Sequence, residues 1–276
     1  MLLGRSHRVA FNRVLRRFVS STTIVIEPND TPLKRSSVDP AEIQRFTVMA
    51  NEWLDENGPM KILHAFNRVR IPWIVDELKK SGEREPLKGL KLLDVGSGCG
   101  ILSFPLARLG AQVDGLEPSE SCVQATDSIK NKLLTDECRK RVNFLPSTVE
   151  EHCVRNSEAY DAIVVSEVVE HVADVPLFIQ SCYNMAKPGA PLFFSTINRT
   201  LLSRVVAVEL AEFLGFVPKG THDWNKFIKP GELVSLLRDH QFHVAYTRGL
   251  IYDPLLNEWD WFFSDLINYA LLARKN

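Results

Sequence analysis

The sequence predicts an α/β fold built on a mostly parallel, seven-stranded sheet with helices on both faces, N-terminal helices and an amphipathic insertion after the fifth strand. Three observations predict it. Strand-length apolar runs alternate with helix-length amphipathic segments from Leu92 to His240. The run Leu92-Leu93-Asp94-Val95 passes straight into Gly96-Ser97-Gly98-Cys99-Gly100 and then into an apolar helix. A second strand ends on an acid, Glu117. With 276 residues and 45% apolar content the chain can bury a full core, and no apolar run reaches the ~20 residues of a bilayer span.

The elements follow in order. Residues 1–21 carry Arg5, Arg8, Arg13, Arg16 and Arg17 among apolar residues, with no acid. That composition predicts a mitochondrial transit peptide, or else a basic arm for nucleic acid or lipid. Removing those arginines from a formal net charge of −1 leaves −6, so nucleic acid is not an expected partner. Residues 22–38 are polar and proline-containing and read as a linker, followed by one domain over residues 39–276. Asp39-Pro40 offers a cap and a first-turn proline for a helix over Ala41 to Trp53, and Lys61 to Lys80 predicts a second. Beyond the glycine loop, a helix near Ile101 to Leu109 precedes a strand over Ala111 to Glu117, and a helix over Ser119 to Leu134 follows. Strands are predicted at Val142 to Pro146, Tyr160 to Ser166 and Pro191 to Thr196, with a helix over Val175 to Lys187 capped by Asp174. A helix over Lys229 to His240 leads to two closing strands, Phe242 to Tyr252 and Ile267 to Ala273. The five cysteines show no CxxC and no regular spacing, so they read as reduced, mostly structural thiols.

The glycine loop carries the first chemical signal. Glycines let the chain turn sharply and leave no side chain between backbone and ligand. A dinucleotide fold wants GxGxxG, whose open helix start receives a pyrophosphate. Here the pattern is GxGxG, and Asp94 stands two residues before the first glycine. A carboxylate there repels a pyrophosphate and suits the ammonium of an amino-acid moiety, while Glu117 can accept both hydroxyls of a ribose. This loop resembles that of the class I methyltransferases, which have a Rossmann-like fold and use S-adenosylmethionine.

Ligands in an open parallel sheet bind at the carboxyl ends of strands. The fourth strand ends in Ser166-Glu167-Val168-Val169-Glu170-His171. In a helical turn Glu167, Glu170 and His171, spaced i, i+3 and i+4, would share one face. They could hold Mg²⁺, or zinc or manganese through the histidine, or His171 could serve as a base or bond nearby backbone. The insertion Leu201 to Val217 is amphipathic, and suits either a membrane interface admitting a lipid-like substrate or an ordinary core or dimer helix.

From about Phe46 to the C-terminus the chain resembles the ubiquinone-biosynthesis O-methyltransferases in their mitochondrial form. The resemblance rests on Phe46, Ala50, Trp53, Asp55, Gly58, Leu63-His64, Asn67 and Arg70, on the LDVGSGCG loop, on Thr148 to His152 and Glu167 to Val172, and above all on Phe194 to Arg199 and Lys219 to Pro230. Leu54 departs from a second tryptophan common in the family, and Ser97 and Cys99 stand for Cys and Gly. The resemblance implies that Arg70, Gly96, Glu117 and Ser166 hold S-adenosylmethionine, and the reading of the glycine loop adds Asp94 and Gly98. It implies a divalent metal, usually Mg²⁺, at Glu167, Glu170 and His171. Polyprenylated catechols are the implied substrates, methylated on a ring hydroxyl at the matrix face of the mitochondrial inner membrane, in peripheral contact with it and within a multi-subunit ubiquinone biosynthesis complex. Without a metal, His171 is the first candidate base and His222 the second. Two other readings stay open: a methyltransferase acting on carbon or on another small molecule, and a cofactor-binding subunit that turns over nothing.

Overall fold

The computed structural model describes residues 36–48, 53, 55–79, 85–206 and 223–276. The transit peptide, the linker up to residue 35, most of the amphipathic insertion and His222 lie outside the described residues. In chain order the elements are α1 (Pro40–Val48), α2 (Lys61–Leu78), β1 (Lys91–Val95), α3 (Ser103–Arg108), β2 (Gln112–Leu116), α4 (Glu120–Leu133), α5 (Asp136–Arg139), β3 (Val142–Leu145), α6 (Val149–Cys153), β4 (Ala162–Ser166), α7 (Val175–Met185), β5 (Pro191–Ile197), α8 (Leu201–Ser203), α9 (Pro230–Asp239), β6 (Phe242–Asp253), β7 (Glu258–Phe262) and β8 (Asn268–Lys275).

The strands form one sheet in the order β3-β2-β1-β4-β5-β8-β6-β7. Pairings from β3 through β5 are parallel, and β8 is antiparallel to both β5 and β6. Successive side chains of a strand face opposite ways, and the central strands divide accordingly. Leu93, Ile163, Val165, Leu192 and Phe194 pack with α7 and α9 on one face. Leu92, Ala162, Val164 and Phe193 pack with α2 and α3 on the other. Burial on both faces explains why β4 and β5 read as continuous apolar runs. The order reverses at β1, whose neighbours are β2 and β4. There the strand ends open a crevice for a ligand.

The sheet has eight strands where the sequence predicts seven, because β7 adds an antiparallel partner to β6 at the edge. Its signal is a short alternation: Trp259 and Trp261 turn toward α2, where they meet Phe66 and Trp73 at ring-centroid distances of 4.8 and 5.7 Å, while Glu258 and Asp260 are exposed. The helix expected from Ile101 begins two residues later at Ser103. Helix α6 was not expected, although Thr148 and Glu151 form a complete capping box at its start. Ser37 and Val38, placed in the linker by composition, belong to the fold: Val38 bridges Val172, and Ala173 N donates to Ser37 O at 2.7 Å.

Candidate active site

The loop after β1 takes the conformation its glycines allow. Gly96, Gly98 and Gly100 all have positive φ, at 66°, 51° and 82°. A Cβ on Gly96 would lie 2.6 Å from Val168 Cγ2, and one on Gly98 would lie 2.0 Å from Trp53 Cζ3. The loop is thus closed down on both sides and has room only for backbone. Ser97 N donates to Leu116 O at 2.9 Å, which ties the turn to β2.

Glu117 lies buried at the end of β2 and accepts from two backbone amides, Gly98 N at 3.2 Å and Ser119 N at 2.9 Å. Burial raises its pKa, with these two bonds opposing. Asp94 is buried in β1 and accepts from Ser103 Oγ at 2.6 Å. Burial pushes its pKa up to about 6, against the pull of Ser103 and of the Arg70 charge. Arg70 reaches in from α2, with Nε donating to Asn67 Oδ1 at 2.7 Å and a guanidinium nitrogen to Ser166 Oγ at 2.9 Å. Desolvation lowers its pKa to about 10, while Asp94 and Glu167 favour its charge. Ser166 in turn meets Ser195 Oγ at 2.8 Å across β4 and β5. The six predicted cofactor contacts therefore gather at the carboxyl ends of β1, β2 and β4 around a cavity of about 380 Å³, which Arg70, Asp94, Gly96, Glu117 and Ser166 line. Ser97 Oγ is buried there with no hydrogen-bond partner among the described residues.

The acidic cluster departs from its expected shape. Glu167 has φ +57° and only Val169–His171 is helical, as a single 3₁₀ turn. Residues spaced i, i+3 and i+4 share one face only in an α-helix, and a 3₁₀ turn after a left-handed residue does not present one. Glu170 is buried and accepts from Thr196 Oγ1 at 2.8 Å through Oε2, whereas its Oε1 has no partner among the described residues. His171 has a different partner, with Nδ1 3.0 Å from Glu42 Oε2. Among the described residues no three carboxylate, imidazole or thiol groups converge to hold a metal. Glu167 is pushed up to about 7 by burial, with the neighbouring Glu170 charge adding to the push. Burial raises Glu170 as well. All three residues line the same cavity as the glycine loop.

Sequence reasoning did not find Glu42. It lies buried on α1 and joins His171 to Lys226, whose Nζ is 3.0 Å from Glu42 Oε1 and 2.8 Å from Asp39 Oδ2. No local motif marks it, because its partners lie far away in the chain. Asn67, which sets the plane of Arg70, carries the one readable signal: it precedes the arginine by three residues on α2, and such a pair shares a helix face.

Residues 67–247 match the family model for a methyltransferase domain. The chain is 38% identical over 276 residues to the ubiquinone biosynthesis O-methyltransferase, mitochondrial, of Rattus norvegicus, covering 98% of this chain and 78% of the relative. It is 40% identical over 245 residues to the ubiquinone biosynthesis O-methyltransferase of Methylobacterium sp. strain 4-46, covering 87% of this chain and 96% of that protein. Among solved structures it resembles magnesium protoporphyrin IX methyltransferase from Synechocystis PCC 6803 with bound SAM, with a TM-score of 0.57 and 18% identity over 88% of this chain and 100% of the other. That likeness concerns the fold.

Proposed function

The chain belongs to the family of the ubiquinone biosynthesis O-methyltransferases, and we propose that it methylates a ring hydroxyl of a polyprenylated catechol at the mitochondrial inner membrane. It is an S-adenosylmethionine-dependent methyltransferase acting on oxygen in ubiquinone biosynthesis. One observation carries the finer reading: the glycine loop with Glu117 and the cluster of Glu167, Glu170 and His171 line a single cavity, so donor and acceptor can meet in one space.

The residues fit the donor. Gly96 lines the cavity with no side chain between its backbone and a ligand, and Ser97 Oγ, buried in the loop, has no hydrogen-bond partner among the described residues. Glu117 would take the ribose hydroxyls, and Asp94 with Arg70 and Ser166 would take the amino-acid end. Bound there, S-adenosylmethionine supplies a methyl group already activated on a positively charged sulfur. The protein's own work is to align a substrate oxygen in line with that methyl and to take its proton. A phenol titrates near ~10 in water. Without a metal, His171 would accept the hydroxyl proton at Nε2, since Nδ1 lies 3.0 Å from Glu42 Oε2. The oxygen pair then bonds the methyl carbon as the carbon–sulfur bond breaks, giving the methyl ether and S-adenosylhomocysteine.

For a divalent metal the candidate ligands are Glu167 and Glu170, both desolvated carboxylates, with Glu170 Oε1 lacking a partner among the described residues, although no three ligand groups converge there. These two would hold it with His171, and it would supply positive charge beside the substrate oxygens. Exposed apolar side chains support the membrane reading. Leu201, Leu202 and Val205 after β5, Leu255 and Leu256 between β6 and β7, and Phe263 and Leu266 before β8 are all exposed at the carboxyl side of β5. No helix among the described residues is long and apolar enough to cross a membrane. The basic N-terminus and the relatives of mitochondrial name support import to that organelle, on the matrix face of whose membrane the enzyme would meet its pathway partners. The test is incubation of the purified protein with S-adenosylmethionine and a short-tailed demethylubiquinol, with and without chelator. Methyl on the ring oxygen is the expected product, and none under any metal condition refutes the reading.

A further inference from the structure

We propose that Glu42, held by Lys226, is the positioning residue of His171, fixing which imidazole nitrogen carries the proton. The inference deepens the reading of His171 as the imidazole that serves the substrate, and it rests on that reading.

The geometry is a chain of three side chains from three distant segments. Glu42 Oε1 accepts from Lys226 Nζ at 3.0 Å, and Glu42 Oε2 lies 3.0 Å from His171 Nδ1. Lys226 is itself fixed. Its ammonium also reaches Asp39 Oδ2 at 2.8 Å, and the residues that follow, Phe227 and Ile228, are buried, with Tyr269 OH donating to Ile228 O at 3.0 Å. The Glu42 and His171 side chains are only 8% and 15% exposed, so water competes weakly for these bonds. This use also accounts for a part of the Lys219 to Pro230 block that cofactor binding leaves unexplained.

The chemistry follows from what each group can do. An ammonium only donates, and a carboxylate only accepts. With both oxygens so committed, the imidazole must donate from Nδ1, which leaves the acceptor lone pair on Nε2. A carboxylate behind a histidine serves in this way in many active sites and metal sites. In this chain α1 supplies the carboxylate, so the N-terminal helix that lines the cavity also sets its imidazole.

Glu42→Gln tests the idea. Lys226 would claim the amide oxygen, leaving the NH₂ group facing Nδ1. The ring would then have to accept at Nδ1 and carry its proton on Nε2. We expect kcat to fall roughly 100-fold, with S-adenosylhomocysteine affinity by calorimetry unchanged. Long-range ¹H–¹⁵N spectra of histidine-labelled full-length protein at pH 8.5, assigned with His171→Phe, should show the proton on Nδ1 in the wild type and on Nε2 in Glu42→Gln. Adding Lys226→Met to Glu42→Gln removes the ammonium that holds the amide oxygen, and should move both the rate and the tautomer back toward the wild type. A Glu42→Gln protein with unchanged tautomer, or one whose rate the second substitution does not improve, overturns the inference. If His171→Ala is inactive and Glu42→Gln is not impaired, the positioning role alone falls. If His171→Ala keeps the wild-type rate, the reading beneath it falls as well.

Discussion

The indole of Trp53 occupies the space a side chain at Gly98 would need, with Cζ3 2.0 Å from the position of a Cβ there. His64 Nε2 lies 2.8 Å from Trp53 O, so α2 holds that indole over the cofactor loop. The segment before α2 and the glycine loop are therefore one fitted surface. Gly98→Ala must both strain a residue at φ +51°, at roughly 1–2 kcal/mol, and displace the ring. We expect at least a tenfold loss of S-adenosylhomocysteine affinity and a lower melting temperature. Trp53→Ala in the same background should recover stability without recovering affinity, as thermal melts and calorimetry would reveal.

Asp94 predicts a pH dependence. Its folded pKa of about 6 lies above the ordinary carboxylate value of 3.8, because burial disfavours its charge. The folded state thus holds the proton more tightly, and this group's contribution to stability declines as pH rises from about 3.8 to about 6. Binding of the donor's ammonium needs the ionised form, so it should strengthen over the upper part of that window. Calorimetric titrations with S-adenosylhomocysteine between pH 5 and 7.5 should show this rise, and Asp94→Asn should flatten it.

Glu117 holds two backbone amides at once. In Glu117→Gln one of them must face an NH₂ group instead of an oxygen. Leaving a buried donor without an acceptor costs about 1–3 kcal/mol, so both urea stability and cofactor affinity should drop. A variant that loses affinity with stability intact would mean that the ribose contact matters and the loop contact does not.

Glu170→Gln separates stability from metal binding. Its carboxylate is buried near Glu167 with Oε1 unpartnered among the described residues, and burial opposes the ionised form. The neutral amide can still accept from Thr196 through its oxygen. The metal-free variant should be more stable than the wild type by about 1 kcal/mol, and calorimetry with Mg²⁺ or Mn²⁺ should find binding weakened. Glu167, pushed up to about 7 from an ordinary 4.5, adds a matching trend: metal-free stability should fall as pH climbs from about 4.5 to about 7.

Much of the fold was legible in the sequence because its signals are local. Strands buried on both faces show as apolar runs, and Asp174, which accepts from Leu177 N at 3.1 Å, shows as a cap. The glycine loop stood out because positive φ at Gly96, Gly98 and Gly100 selects for glycine. The edge strand β7 was within reach, since Trp259 and Trp261 alternate with Glu258 and Asp260, but the run is short and rich in acids.

The sequence by itself determined the order of elements, the cofactor loop and the acids at the strand ends, because each depends on backbone preferences within a few residues. Only the tertiary structure decided how the acidic cluster is divided. That Glu170 pairs with Thr196 and His171 with Glu42 depends on a left-handed residue at Glu167 and on helix α1 lining the cavity. Contacts between Glu42, His171 and Lys226 join residues more than a hundred positions apart. Loop closure on that scale leaves no trace in local composition, so the packing of the whole domain decides it.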